Sequence, residues 1–312
     1  MKKGKPYILT AVLITACSVV EPTPVQETFR ARIRSSAGEP MPEELDLYAF
    51  RDDDRCLESA SSGTGDSISI KLVNGRDYRL YLLGNGHGIP GTTGGEEEFL
   101  MKRTRLEENN PEKPVMFSAP LLYNGSEDEP TLELRRYLCR VTVKEISAVW
   151  PENMPCAVTA LAIVNASGSV PLSGVPDRED IRFNLAGIDG TLPENIRDKL
   201  LWEGSIDIHG ETAVGKSLYT LPNASDADVY GIPWTPRRTR LAIRLSFGTQ
   251  SNWYPVNLPP MTCNSDYVIE HILIQGPGSL APDEAIDRTS ISFDVRVRPW
   301  ESENINVDFN DI

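Results

Sequence analysis

Histidine is nearly absent from this chain: His87, His209 and His271 are the only three in 312 residues, and none has a partner at metal-ligand spacing. No G-x-S-x-G stretch occurs, which removes the nucleophile-elbow hydrolases. Positive charge is also short. Lysine and arginine number 31 against 45 acidic residues, a net charge of −14. A phosphate-binding surface needs clustered cations, so nucleic acid is excluded as a partner, as is adhesion to anionic headgroups. No apolar run approaches the ~20 residues that cross a bilayer. Helix signals are few. Residues 96–106 and 193–202 are the only short helices expected, the second with Pro193 at a first-turn position. No cysteine pattern suggests zinc, and no cofactor or metal is expected.

What the chain does have begins at its first residues. Lys2, Lys3 and Lys5 precede the ten-residue apolar stretch Tyr7–Ala16, and Ile14-Thr15-Ala16-Cys17 reads as a lipobox. Charge, apolar length and small residues in that order predict a lipoprotein signal peptide over 1–16, with Cys17 lipidated and anchored to a lipid membrane. Cleavage there removes three lysines and no acids and leaves −17. Outside the cytoplasm disulfides are permitted, and Cys56, Cys139, Cys156 and Cys263 allow three pairings, none of which the sequence selects.

Period-2 alternation dominates the rest. Phe29, Ala31 and Ile33 alternate with Arg30, Arg32 and Arg34; Leu45, Leu47 and Ala49 with Asp46 and Tyr48; Ile68, Ile70 and Leu72 with Ser69 and Lys71. Asn74-Gly75 follows, then Tyr78, Leu80 and Leu82, which predicts a hairpin. A strand region from Leu132 to Val143 changes phase near Cys139, and Val158–Val164 and Leu218–Leu221 read as further strands. Leu241–Phe247 alternates, Tyr267–Ile274 is apolar on both faces and so central, and Ile291, Phe293, Val295 and Val297 alternate with polar neighbours. Beyond Trp300, Ile305, Val307 and Phe309 keep the same parity. Many short strands with Gly, Pro, Asn and Asp turns predict an all-β protein of antiparallel β-sandwiches. The length suits two domains, and the polar stretch 174–180 places the boundary so that they cover 17–177 and 178–312.

Local chemistry is sparse. Gly84-Asn85-Gly86-His87-Gly88 lacks the helix that a dinucleotide fingerprint requires and reads as a connection. Asp52-Asp53-Asp54 and Glu127-Asp128-Glu129 lack calcium-loop spacing and read as solvated tips.

Four stretches carry a family likeness: LDLYAFRDDDRCLE (45–58), GRDYRLYLLGNG (75–86), LELRRYLCRVTVKEI (132–146), and SLYTLPNAS (217–225) followed by DYVIEHILIQGPGSLAPD (266–283). In order and spacing they resemble the fimbrillin superfamily of Bacteroidales, the stalk, anchor and tip subunits of surface pili. The resemblance implies two tandem transthyretin-like β-sandwich domains, no enzyme activity, and a place in fimbriae at the outer membrane and cell surface. It implies other fimbrial subunits as partners and adhesion to a host or bacterial surface ligand. It also implies assembly by strand exchange. Arginine-specific cleavage would remove a first strand, here 27–35 with Arg30, Arg32 and Arg34 as candidate cut sites. A donor strand from another subunit would fill the groove. The donor candidate is 291–309, through Ile291, Phe293, Val295, Val297, Ile305, Val307 and Phe309. Asp66-Ser67-Ile68 fits the short O-glycosylation pattern of the same bacteria. The alternative is a surface glycan- or nutrient-binding lipoprotein, which would gather some of Trp150, Trp202, Trp234, Trp253 and Trp300 into one exposed platform. A surface hydrolase with carboxylates from distant strands is a third.

Overall fold

The computed structural model describes residues 25–35, 40–86, 94–125, 129–149, 155–175, 182–183, 194–228, 237–282, 284, 286 and 290–300. The signal segment with Cys17, His87, Glu127, Asp128, Trp150, Trp234, most of the expected boundary stretch, Ile305, Val307 and Phe309 lie outside them.

Residues 26–136 build the first sheet. Its strands are β1 (Gln26–Ser35), β2 (Leu45–Arg51), β3 (Leu57–Gly63), β4 (Ser67–Val73) and β5 (Tyr78–Gly84), followed by β7 (Met116–Ser118), β8 (Leu121–Tyr123) and β9 (Thr131–Arg136). Helix α1 (Glu96–Met101) and the short β6 (Arg103–Arg105) lie between β5 and β7. The order is β3-β2-β5-β7-β9-β1-β4, with β8 on β5. The two ends of this path, β3 and β4, lie against one another, so the sheet folds around a single core. Phe29, Ala31 and Ile33 meet Leu45, Leu47, Ile68, Ile70, Tyr78 and Leu80 there.

Residues 139–299 build the remainder: β10 (Cys139–Ala148), β11 (Cys156–Val164), β12 (Ala166–Ser167), β13 (Ser169–Pro171), β14 (Arg182–Phe183), helix α2 (Glu194–Leu200), β15 (Leu201–Asp207), β16 (Thr212–Thr220), β17 (Arg240–Phe247), β18 (Gln250–Asn257), β19 (Ser265–Ile274) and β20 (Ile291–Pro299). Two four-stranded sheets, β16-β10-β19-β20 and β15-β11-β17-β18, face each other. Val141, Val143, Leu218, Tyr267 and Ile269 of one pack on Leu161, Ile163, Leu241, Ile243 and Tyr254 of the other. The protein is thus all-β. Tyr267–Ile274 is central as expected, flanked by β10 and β20.

The first sheet ends at Arg136 and the two four-stranded sheets begin at Cys139, with β10 and β11 bonded to strands from 201–299, while β6 and β13 pair across that point. Three expectations are corrected. Asn74-Gly75 turns the chain, with Gly75 at φ +79°, but it makes no hairpin. β4 is paired to β1, and β5 to β2, β7 and β8. The Val73 N–H donates instead to the Tyr78 hydroxyl at 3.0 Å. The helix expected over 96–106 stops at Met101, because β6 pairs with β13. Finally, the sheets are not wholly antiparallel: β1 runs parallel to β9 and β10 parallel to β19. Both pairs need long crossovers, which the distant chain positions supply.

All four cysteines described are free thiols. Burial pushes the Cys156 thiol up to about 11 and Cys263 up to about 12, and holds Cys139 well above its ordinary value. Burial likewise raises the Tyr254 phenol to about 12. In the unfolded chain these thiols ionise near pH 9 while the folded chain keeps its protons, so the folded state binds more protons and stability falls as pH rises. The melting temperature is expected to hold up to about pH 8.5 and to fall from pH 9 upward, more steeply past pH 10 as unfolded tyrosines ionise. Thermal melts from pH 7 to 11 check this; a flat profile above pH 9 contradicts it.

Candidate subunit interface

Two strands carry the sequence candidates, one at each end of the described chain. β1 lies inside the first sheet. It bonds antiparallel to β4, from Gln26 opposite Val73 to Arg32 opposite Ser67, and parallel to β9, from Arg32 opposite Thr131 to Ser35 opposite Leu134. Its two faces differ completely. Phe29, Ala31 and Ile33 are 2%, 0% and 7% exposed, and the Phe29 ring meets Tyr123 edge-on at 4.5 Å. Arg30, Arg32 and Arg34 point to solvent. Glu129 engages two of them, Arg30 Nε at 3.3 Å and Arg32 Nε at 2.8 Å. Arg30 Nη2 also donates to Ser67 Oγ at 3.3 Å, so the glycosylation candidate is a half-buried hydroxyl facing β1. The last backbone bond from β1 toward β4 runs from the Ile33 N–H to the Asp66 carbonyl; Arg34 lies beyond it.

Removing β1 would expose the faces of Ile68, Ile70, Leu72, Leu132 and Leu134 that it covers. It would also leave the facing N–H and C=O rows of β4 and β9 unpaired, a template for another strand. Burying side chains such as Phe29 and Ile33 contributes ~1.5–3 kcal/mol each, so the empty seat is costly until refilled.

At the other end, β20 is an edge strand bonded to β19. Ile291 is 8% exposed, Phe293 and Val295 are half-buried against the core, and Val297 is 50% exposed. These four donor candidates therefore serve as the fourth strand of their own sheet. The strand ends in two fixings. Asp266, 0% exposed, accepts from Arg140 Nη2 at 2.8 Å, from Arg298 Nη2 at 3.1 Å and from the Thr142 hydroxyl at 3.2 Å. The Trp300 N–H donates to the Asn264 carbonyl at 2.9 Å. Its ring stacks on Tyr219 at 5.7 Å with the Arg136 guanidinium 3.7 Å from its centroid. Sequence reasoning missed the roles of Glu129, which it read as part of a solvated tip, of Trp300, which it offered only for an exposed platform, and of Asp266. Their partners are distant in the chain.

The other candidates are structural. Asp52 and Asp54 pair with Arg79, Arg55 and Arg51. Asn85, at φ +52°, is buried and binds the Glu43 N–H and the Pro114 carbonyl. His271 Nε2 is 2.8 Å from Ser147 Oγ, and His209 is exposed. Trp202 and Trp253 are half-buried, packed with Lys216 and Arg244 respectively.

No family model and no curated protein sequence matches the chain. Solved structures do. A fimbrilin from Porphyromonas gingivalis superposes with a TM-score of 0.63 at 16% identity, over 88% of this chain and 97% of that one. The chain has the fimbrilin fold. A candidate cell adhesion protein from Parabacteroides distasonis shares it at a TM-score of 0.63 and 14% identity, over 89% of this chain and 100% of that one. A candidate cell adhesion protein from Bacteroides eggerthii does so at 0.62 and 14%, over 88% and 96%. In this fimbrilin fold, β1 is the first described strand and β20 the last, and each carries one of the faces that the sequence singled out.

Proposed function

We propose that the protein is a structural subunit of cell-surface fimbriae and a member of the fimbrillin superfamily. In this reading it is exported as a lipoprotein through Cys17, held at the outer membrane, and assembled into adhesive filaments by strand exchange with other fimbrial subunits. Two tandem domains meet between Arg136 and Cys139. The observation that carries the reading is β1: an N-terminal strand whose one face is core and whose other face is three exposed arginines, seated between β4 and β9 in a fold shared with a fimbrilin.

Within it, Arg34 is the preferred cut site. Arg30 and Arg32 are tied to Glu129, and both lie where β1 is bonded to β4. Cleavage after Arg34 would free Phe29, Ala31 and Ile33 together. The donor narrows to Ile305, Val307 and Phe309, because Ile291–Val297 already complete a sheet. Three apolar residues at period 2 would replace three at period 2. Limited digestion of the chain from Cys17 with an arginine-specific protease, read by intact mass, tests this. Cleavage is expected first after Arg34, with assembly following and Arg34→Gln blocking both. A chain that stays intact under these conditions, or that assembles equally well uncut, overturns the strand-exchange reading.

A further inference from the structure

A cavity of about 440 Å³ opens where the first sheet meets the second half of the chain. It belongs neither to the seat of β1 nor to the outer edge of β20. Its walls are apolar and preformed. Phe117 is held between two rings, stacked on Tyr81 at 6.0 Å and on Tyr137 at 5.9 Å. Tyr137 is 2% exposed and pinned by its hydroxyl, which donates to the Leu172 carbonyl at 2.7 Å. Met261, 1% exposed, and Cys263 also line it.

One charged group stands at the mouth with room to act. Arg135 lies opposite Phe117 in the β7–β9 ladder, and its side chain is 61% exposed. Its ion pair with Glu133 is loose, at 3.6 Å in solvent, and such pairs contribute little. Arg136, which also lines the cavity, is committed to the Trp300 ring. Small-molecule sites have this form: a preformed apolar hollow of some 300–1,000 Å³ at a junction between layers, with few polar groups that fix orientation. A guanidinium at the rim selects a planar anion, which it can bind through two N–H groups.

We propose that this cavity binds a small amphipathic carboxylate, its apolar chain against Phe117, Tyr137 and Met261 and its carboxylate on Arg135. The test uses the full chain from Cys17 and anilinonaphthalene sulfonate as a fluorescent reporter, displaced by decanoate or by decanol. Saturable binding at one site is expected, with decanoate displacing the reporter at a concentration about tenfold lower than decanol, the scale of one charged hydrogen-bonded contact. Arg135→Glu, a surface change that leaves the core alone, should weaken decanoate by about that factor and leave decanol unchanged. Ala119→Trp, which crowds the mouth, should weaken both. Non-saturable reporter binding, equal displacement by decanol and decanoate, or an Arg135→Glu protein that binds decanoate as before would each overturn the proposal. The Arg135→Glu arm decides the matter even where Ala119→Trp does not fold. The outcome is independent of strand exchange, since β1 and Arg34 take no part.

Discussion

Asp266→Asn is expected to destabilise the protein by about 3–5 kcal/mol, the range for removing one partner of a buried ionic group. The carboxylate is fully buried and is the shared acceptor for two guanidiniums. Its amide replacement keeps the shape but removes the counter-charge. Arg140, 16% exposed, is then left charged beside β19 with its partner gone. Arg298 behaves differently. At 48% exposure it can turn to water, so Arg298→Ala should cost no more than about 1 kcal/mol. The asymmetry is the test. Urea denaturation of the two variants should separate them severalfold in free energy. Equal losses would mean that Asp266 matters only through the edge strand, and not as the charge that makes the largely buried Arg140 tolerable on the outer face of its sheet.

The sites of these groups explain what could be read in advance. Strands with one wet face declare themselves, because water selects every second residue. So Phe29, Ala31 and Ile33 in β1 and Leu241, Ile243 and Leu245 in β17 were legible, and so were the arginines between the first three. Strands buried on both faces gave half their information. Leu45, Leu47 and Ala49 were found, but Tyr48 and Phe50 pack on the other side of β2 against Phe99. The serine-rich β3 has no apolar period at all and was missed. So was most of β16, where Gly215 at φ +58° interrupts the pattern. Pairing is a further step removed from pattern. Asn74-Gly75 announces a turn, but which strands pair was decided by β1, which is seated between β4 and β9 although both lie far from it in the chain. The phase change near Cys139 was visible and marks where the chain passes from one set of sheets to the next. The pairing of β10 with β16 and β19 was not legible, because both partners lie far along the chain. For the same reason Glu129, 97 residues from Arg32, and Asp266, 126 from Arg140, had no signature as partners.

Trp300→Ala is expected to cost about 3 kcal/mol, toward the low end for truncating a buried aromatic. The indole is 4% exposed and sits between the Tyr219 ring and two guanidiniums, with Arg136 at 3.7 Å and Arg140 at 4.9 Å. Such cation–π contacts add about 0.5–2 kcal/mol to the area buried. The loss should be local, because among the described residues β20 has a neighbour on one side alone and Val297 is already half exposed. Hydrogen exchange should therefore quicken from Val295 to Trp300 while β10 and β19 stay protected, since an edge strand can open without global unfolding. Trp300→Phe keeps the stack on Tyr219 and should recover most of the protection. The position of this residue gives the result a second meaning. Trp300 is the last described residue, and residues 301–312 carry Ile305, Val307 and Phe309. If that segment is held by a neighbouring subunit, tension along a filament enters this subunit through Trp300 and is passed to Arg136 of the first sheet and Tyr219 of the second half. Filaments of Trp300→Ala subunits should then break at lower force, or in less denaturant, than those of Trp300→Phe, with the failure inside the subunit rather than at the exchanged strand. Fragments that retain exchanged strands but show fast exchange over β20 would identify that failure. Breakage confined to the subunit junction would place the weakest link there instead.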